Sequence, residues 1–238
     1  MGVAYNPRIV TNGLVLYLDA GNRKSYPGSG TTWKDLSGNG YNFTINASAY
    51  STSLRVPHMN FEGSFGAAKR IVSGSMVDVP NYSNGTVMCF STILNSTGTW
   101  RTLMRGAGAD HQVIIATGSN SLGMYDNNAV GFIGSGFDIT NLPNPYNSFN
   151  CLTWRMSQSS PYYQFQYNDN NTVYSITNGN ATFSNGFSVI GAYHNVSSDV
   201  NNCSQFWGKI SVFLYYNRAL TNSEILQNYY TIKNRFVI

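Results

Sequence analysis

An all-β sandwich of two antiparallel sheets, closed by one short C-terminal helix, is the fold class that this 238-residue sequence predicts. Three observations predict it. Short apolar runs recur with turn chemistry between them. Within the runs, apolar and polar residues alternate with the period of two that a half-buried strand requires. Helical spacing appears at the end of the chain and interrupts the pattern nowhere else.

Taken in order, Leu14, Leu16 and Leu18 alternate with Val15, Tyr17 and Asp19, which reads as a half-buried strand. The stretch 22–39 reads as loop, punctuated by Pro27-Gly28, Ser29-Gly30 and Ser37-Gly38-Asn39-Gly40. Trp33 and Leu36 are expected to pin that loop to the core, because their apolar surface is costly to leave wet. Further strands are predicted at 41–45, 59–61, 76–79, 86–94, 101–105, 112–117 and 121–125, then at 151–157, 162–167, 172–177, 187–191 and 209–216. Leu152, Trp154 and Met156 share one strand face, Thr153 and Arg155 the other.

The helix start is legible in single residues. Thr221 can accept from the backbone N–H of Glu224, whose carboxylate can reach back to the N–H of Thr221, with Leu220 and Ile225 placed as a hydrophobic staple. Ile225, Leu226, Tyr229 and Ile232 form one apolar stripe. No fixed-period repeat, low-complexity segment or linker is present, so one domain over residues 1–238 is expected.

Composition narrows the function classes. Hydrophobic residues make up 42% and aromatic residues 14%, ample for a sizeable core, whereas only 10% are charged, against about 25% in an average soluble protein. A surface of Asn, Ser, Thr, Gln and Gly suits packing in an assembly, where each buried charge would need a partner. The net charge of +4 is scattered, with no basic run longer than two residues, so nucleic-acid binding is not expected. No stretch approaches eighteen apolar residues, so no membrane span is expected. The first residues lack the basic and apolar regions of a signal peptide. Cys89, Cys151 and Cys203 have no C-x-x-C spacing; Cys89 and Cys151, in apolar runs, read as buried free thiols, and reduced cysteines fit synthesis in a cytoplasm.

Catalytic patterns are sparse. Glycan-cleaving sites need two carboxylates flanking the scissile bond; the chain has just two glutamates, Glu62 and Glu224, the latter assigned to the helix cap. His58, His111 and His194 are isolated, and Asp110-His111 are adjacent residues that would point to opposite faces of a strand. Neither a G-x-S-x-G elbow nor a phosphate loop occurs. No enzyme activity is expected. Sugar binding would use an aromatic face beside amides and carboxylates. Tyr125 with Asp126, Asn127 and Asn128, and Tyr193 with His194 and Asn195, are the two combinations of that kind. The same residues also read as ordinary strand tyrosines and solvated turns.

The phrase from Gly208-Lys209-Ile210 through Asn217-Arg218-Ala219-Leu220-Thr221 to Tyr229 resembles the closing signature of laminin-G-like, concanavalin A-like jelly-roll domains. The opening supports it, with Gly13 to Ala20, Ser25 to Gly30 and Trp33 to Gly40. Together they resemble the single-domain laminin-G-like structural proteins of tailed bacteriophages, marine ones especially, over roughly residues 8–236. Where the family has an L-Y-x-N-G hairpin turn, this chain has Gln166 to Asn171 without the glycine; Asn and Asp also tolerate the left-handed conformation. The resemblance implies a virion protein, a capsid decoration or fibre- or tail-associated component, made in the host cytoplasm. It would be a homo-oligomer on the particle, packed against other capsid or tail proteins and touching a host-surface glycan. A free carbohydrate-binding module or secreted lectin is the alternative, and a glycoside hydrolase is third; the E-x-D-x-x-E run of the fold's glycosidases is missing. No cofactor is required. Domains of this kind often hold calcium in rim loops, for which Asp126 and Asp199 would be the carboxylate donors here; with carboxylates so sparse, the favoured reading of these loops is solvated turns that need no metal.

Overall fold

Alternating apolar residues give this chain strands that must be buried on one face, and they pair into two antiparallel sheets. The computed structural model describes residues 8–45, 50–61, 71–73, 84–93, 101–106, 111–116, 119–126, 131–177, 187–191, 206 and 208–236. Its strands are β1 (Leu14–Asp19), β2 (Thr32–Trp33), β3 (Phe43–Ile45), β4 (Tyr50–Ser51), β5 (His58–Asn60), β6 (Ile71–Ser73), β7 (Asn84–Ile93) and β8 (Arg101–Gly106). They continue with β9 (His111–Ala116), β10 (Ser121–Asp126), β11 (Gly131–Asp138), β12 (Asn150–Ser157), β13 (Tyr163–Tyr167), β14 (Tyr174–Ile176), β15 (Phe187–Ile190) and β16 (Gly208–Tyr216). The helix α1 spans Asn222–Lys233.

One sheet runs β14-β13-β12-β7-β16-β5-β4, with β1 also paired to β16; the other runs β11-β10-β9-β8-β15-β6-β3-β2. This is the expected all-β sandwich of two antiparallel sheets with one short C-terminal helix. The expected strand at 76–79 lies outside the described residues. β11 was not expected, because Gly131, Gly134 and Gly136 break its apolar alternation. Within the stretch expected as loop, Thr32–Trp33 forms a short edge strand on β3.

Two cores follow from the period of two. Facing the opposite sheet, the first sheet contributes Leu16, Leu18, Val87, Cys89, Leu152, Trp154, Met156, Phe213 and Tyr215, which meet Leu122, Met124, Phe137 and Ile190 from the second. On its outer face the same strands turn Met88, Phe90, Cys151, Val212, Leu214 and Tyr216 toward Leu220, Ile225 and Ile232 of the helix region. Fully burying each such side chain contributes about 1.5–3 kcal/mol. A register shift in β1 between Leu14 and Leu16 moves Leu14 to the outer, helix-side cluster, so the simple alternation expected there fails at its first residue.

The helix begins as read from the sequence. Glu224 N donates to Thr221 Oγ1 at 3.3 Å, and Thr221 N donates to Glu224 Oε2 at 2.9 Å. Leu220 and Ile225 are both buried. The expected stripe differs at one position: Leu226 is half-buried, whereas polar Asn228 is fully buried. Asn228 accepts from Val10 N at 2.7 Å and donates to the Tyr216 hydroxyl at 3.0 Å, which itself donates to Val10 O at 2.9 Å. The segment before β1 is thereby fastened to the helix through buried, satisfied polar groups.

Candidate functional site

The outer face of the second sheet holds the one sequence-predicted ligand residue whose side chain the structure describes. In β10, Leu122 and Met124 enter the core, so Ser121, Gly123 and Tyr125 take the outer face. Tyr125 is paired in register with Phe132 of β11, and both are half-buried. Gly123 is paired with Gly134. A Cβ on Gly123 would come within 2.3 Å of Ile133 O and 2.6 Å of Phe132 Cε2, so the Phe132 ring packs against a glycine at a place where any side chain would collide. The outcome is a two-ring aromatic ledge, Tyr125 and Phe132. The Cα register continues the same rung through Gln112 to Arg105.

Asp126 closes β10, opposite His111 on β9 and Gly131 on β11. Asn127, Asn128, Tyr193, His194, Asn195 and Asp199 lie outside the described residues, as do Glu62 and Cys203. Among the described residues no group of three or more His, Cys, Asp or Glu side chains could hold a metal ion. Phe132 was missed by sequence reasoning along with its strand. The available signal was Asn127-Asn128, turn chemistry lying between Tyr125 and Phe132.

The described carboxylates are held by donors, which disfavours proton transfer to a substrate. Asp19, 1% exposed, accepts from Arg235 Nη1 at 2.8 Å, from the Tyr17 hydroxyl at 2.9 Å and from Gly21 N at 2.9 Å. Asp35 accepts from the backbone N–H groups of Tyr17, Ser37 and Tyr41. Asp138 caps a 3-10 turn through Thr140 N. Asp169 accepts from the Tyr230 hydroxyl at 3.1 Å. Glu224 is clamped by both terminal nitrogens of Arg218, at 2.9 and 2.5 Å. The Arg218 hydrogen bonds, then the backbone N–H of Thr221, hold its carboxyl down at about 2.

The thiols are equally withdrawn from chemistry. Cys89 and Cys151 are free and buried. Burial pushes Cys89 well above the ordinary thiol range and Cys151 up to about 12, so neither forms a thiolate nucleophile near neutral pH. His58 is also buried, its Nδ1 2.7 Å from Val56 O.

No protein-family model matches the sequence, and no curated protein sequence does. Solved structures do. The chain is similar to the receptor binding domain of botulinum neurotoxin C/D mosaic serotype, with TM-score 0.62 and 14% identity over 92% of this chain and 51% of that one. It is similar to the botulinum neurotoxin serotype D binding domain at TM-score 0.61 and 15% identity, with the same coverage of both chains. A mutant Trypanosoma rangeli sialidase displaying trans-sialidase activity matches at TM-score 0.59 and 15% identity, over 96% of this chain and 34% of the sialidase. The chain therefore spans a third to a half of the length of these proteins, and at such identities the likeness establishes the sandwich fold.

Proposed function

We propose that this chain is a non-catalytic binding module on the surface of a tailed-phage particle, a capsid decoration or a fibre- or tail-associated protein. It packs as a homo-oligomer against other virion proteins and contacts host glycans through the Tyr125–Phe132 ledge. The carrying observation is the contrast between the carboxylates and the aromatics. Asp19, Asp35, Asp138, Asp169 and Glu224 all take structural hydrogen bonds, while two half-buried aromatic residues, Tyr125 and Phe132, pair in register on the outer face of the second sheet. A flat aromatic ledge recognises the C–H face of a sugar without a covalent step. The virus comes from the sequence resemblance alone. The neurotoxin structures, themselves named as binding domains, lend support to the binding half of the reading.

Asp126, Asn127 and Asn128 extend this ledge in sequence. Tyr193, His194 and Asn195 are proposed as a second contact, and Asp126 and Asp199 as the donors for any calcium recruited there. No cofactor is needed for the fold. Localisation follows from the resemblance: synthesis in the host cytoplasm, then incorporation into the virion. No described helix is long and apolar enough to cross a membrane.

Mass spectrometry of purified particles of the virus that encodes the chain tests the reading. Stoichiometric presence across a density gradient is the expected result, and absence from the particles would refute a virion role. The rival is a free carbohydrate-binding module or secreted lectin, which the same fold serves. It predicts absence from particles together with a sugar-dependent rise in the melting midpoint.

A further inference from the structure

An aromatic notch opens on the outer face of the first sheet, on the side of the sandwich away from the Tyr125–Phe132 ledge. Its volume is about 180 Å³, and it is lined by Phe90 of β7, Phe149 ahead of β12, Tyr229 and Lys233 of α1, and Phe236 beyond the helix. The rings lie nearly parallel. Phe90 and Phe236 are 5.1 Å apart at 18°, Phe149 and Phe236 5.1 Å apart at 29°, and Phe90 and Tyr229 6.3 Å apart at 9°. Core packing explains the buried Phe90 ring but leaves Phe149, Tyr229 and Phe236 half-exposed.

The lining carries one cation, Lys233. Lys233 Nζ stands 5.1 Å from the Tyr229 ring centre and 4.3 Å from that of Tyr230, and no described carboxylate pairs with it. Beside it Tyr230 is 42% exposed, and its hydroxyl donates to exposed Asp169. A volume of about 180 Å³ falls below the ~300 Å³ where drug-sized sites begin, so the notch suits one ring.

We infer that this notch is a subsite for a single acidic pyranose residue. The sugar's C–H face lies on Tyr229 and Phe236, and its carboxylate faces the Lys233 ammonium. Aromatic walls supply the apolar half of the recognition, while an ammonium with no carboxylate partner among the described residues supplies the charge complement. This inference shares the glycan premise of the proposed function but none of its residues. A chain with both sites would hold sugars on opposite faces and could bridge two glycans.

The test is a protein-observed NMR titration with methyl β-D-glucuronide, methyl β-D-glucoside and benzoate. It uses the wild-type chain, Lys233→Gln, Tyr230→Ala and Tyr125→Ala. Lys233 is half-buried and Tyr230 exposed, and unchanged melting midpoints verify that both variants fold. The expected result is glucuronide-dependent shifts at Tyr229, Tyr230 and Phe236, with affinity about fivefold above that for the glucoside. Lys233→Gln abolishes that preference and Tyr125→Ala leaves it intact. Shifts confined to the Tyr125 face would overturn this inference while sparing the proposed function. Benzoate binding the notch as tightly as the glucuronide would overturn the sugar assignment, and so would an unresponsive notch.

Discussion

Asp19 shows how one buried charge can define the purpose of a residue. Arg235, Tyr17 and Gly21 all donate to it, so its carboxylate joins β1 to the end of the chain. Replacing Arg235 by Met removes one charge-assisted bond of three. Chemical denaturation is expected to show a loss of about 1.5–3 kcal/mol. Asn228 does the same work with neutral groups. Asn228→Leu leaves the Val10 N–H without its acceptor, at an expected loss of about 1–3 kcal/mol, and hydrogen exchange at Val10 should rise out of proportion to the rest. Gly191 is a third such position. Its φ is +83° and a Cβ would overlap the Phe61 ring, so Gly191→Ala should destabilise by about 2–4 kcal/mol. A melting midpoint within a degree of wild type would show that the Phe61 ring yields freely.

At the scale of elements, the helix cap carries a pH dependence of definite sign. The folded Glu224 carboxyl titrates at about 2, below its ordinary 4.5. The unfolded chain therefore binds more protons between those values, and the stabilisation is complete above about 4.5 and lost as pH falls toward 2. Glu224→Gln should flatten that part of the stability curve and cost about 0.5–1 kcal/mol at neutral pH, the range of a half-exposed cap and ion pair. Equal acid sensitivity in variant and wild type would contradict the assignment. This helix was readable because capping box and staple are local, set by residues within five positions of one another. β11 was not readable: with Gly131, Gly134 and Gly136 in place, its pairing with β10 is settled by Phe132 and Phe137 packing on opposite faces of the sheet, a tertiary fact. Asn228 was missed for a related reason, since a polar residue in an apolar stripe is explained by its partners, Val10 and Tyr216, which are remote in sequence.

Across the whole molecule, the opening and closing segments that carry the family resemblance prove to be one structural unit. β1 pairs with β16, Asn217 N donates to Gly13 O at 2.9 Å, Arg218 Nε donates to Asn12 O at 3.1 Å, and Arg235 reaches Asp19. The residues most legible in the sequence therefore hold the sandwich shut. The half-buried aromatics proposed for recognition belong to strands and rims that carry no such signature. For the same reason the candidate site was only partly legible. Tyr125 was named from its amide neighbours, whereas Phe132 beside it and the Lys233 notch emerge from the packing. Removing the ledge should not disturb the scaffold. Tyr125→Ala with Phe132→Ala is expected to keep the melting midpoint within a few degrees while reducing glycan retention at least tenfold.

Binding without bond cleavage can be read out by mass spectrometry of an immobilised oligosaccharide array after incubation with the protein. The expected result is protein retained on a subset of glycans whose masses are unchanged. Shortened glycans would contradict it, and so would retention on none of them.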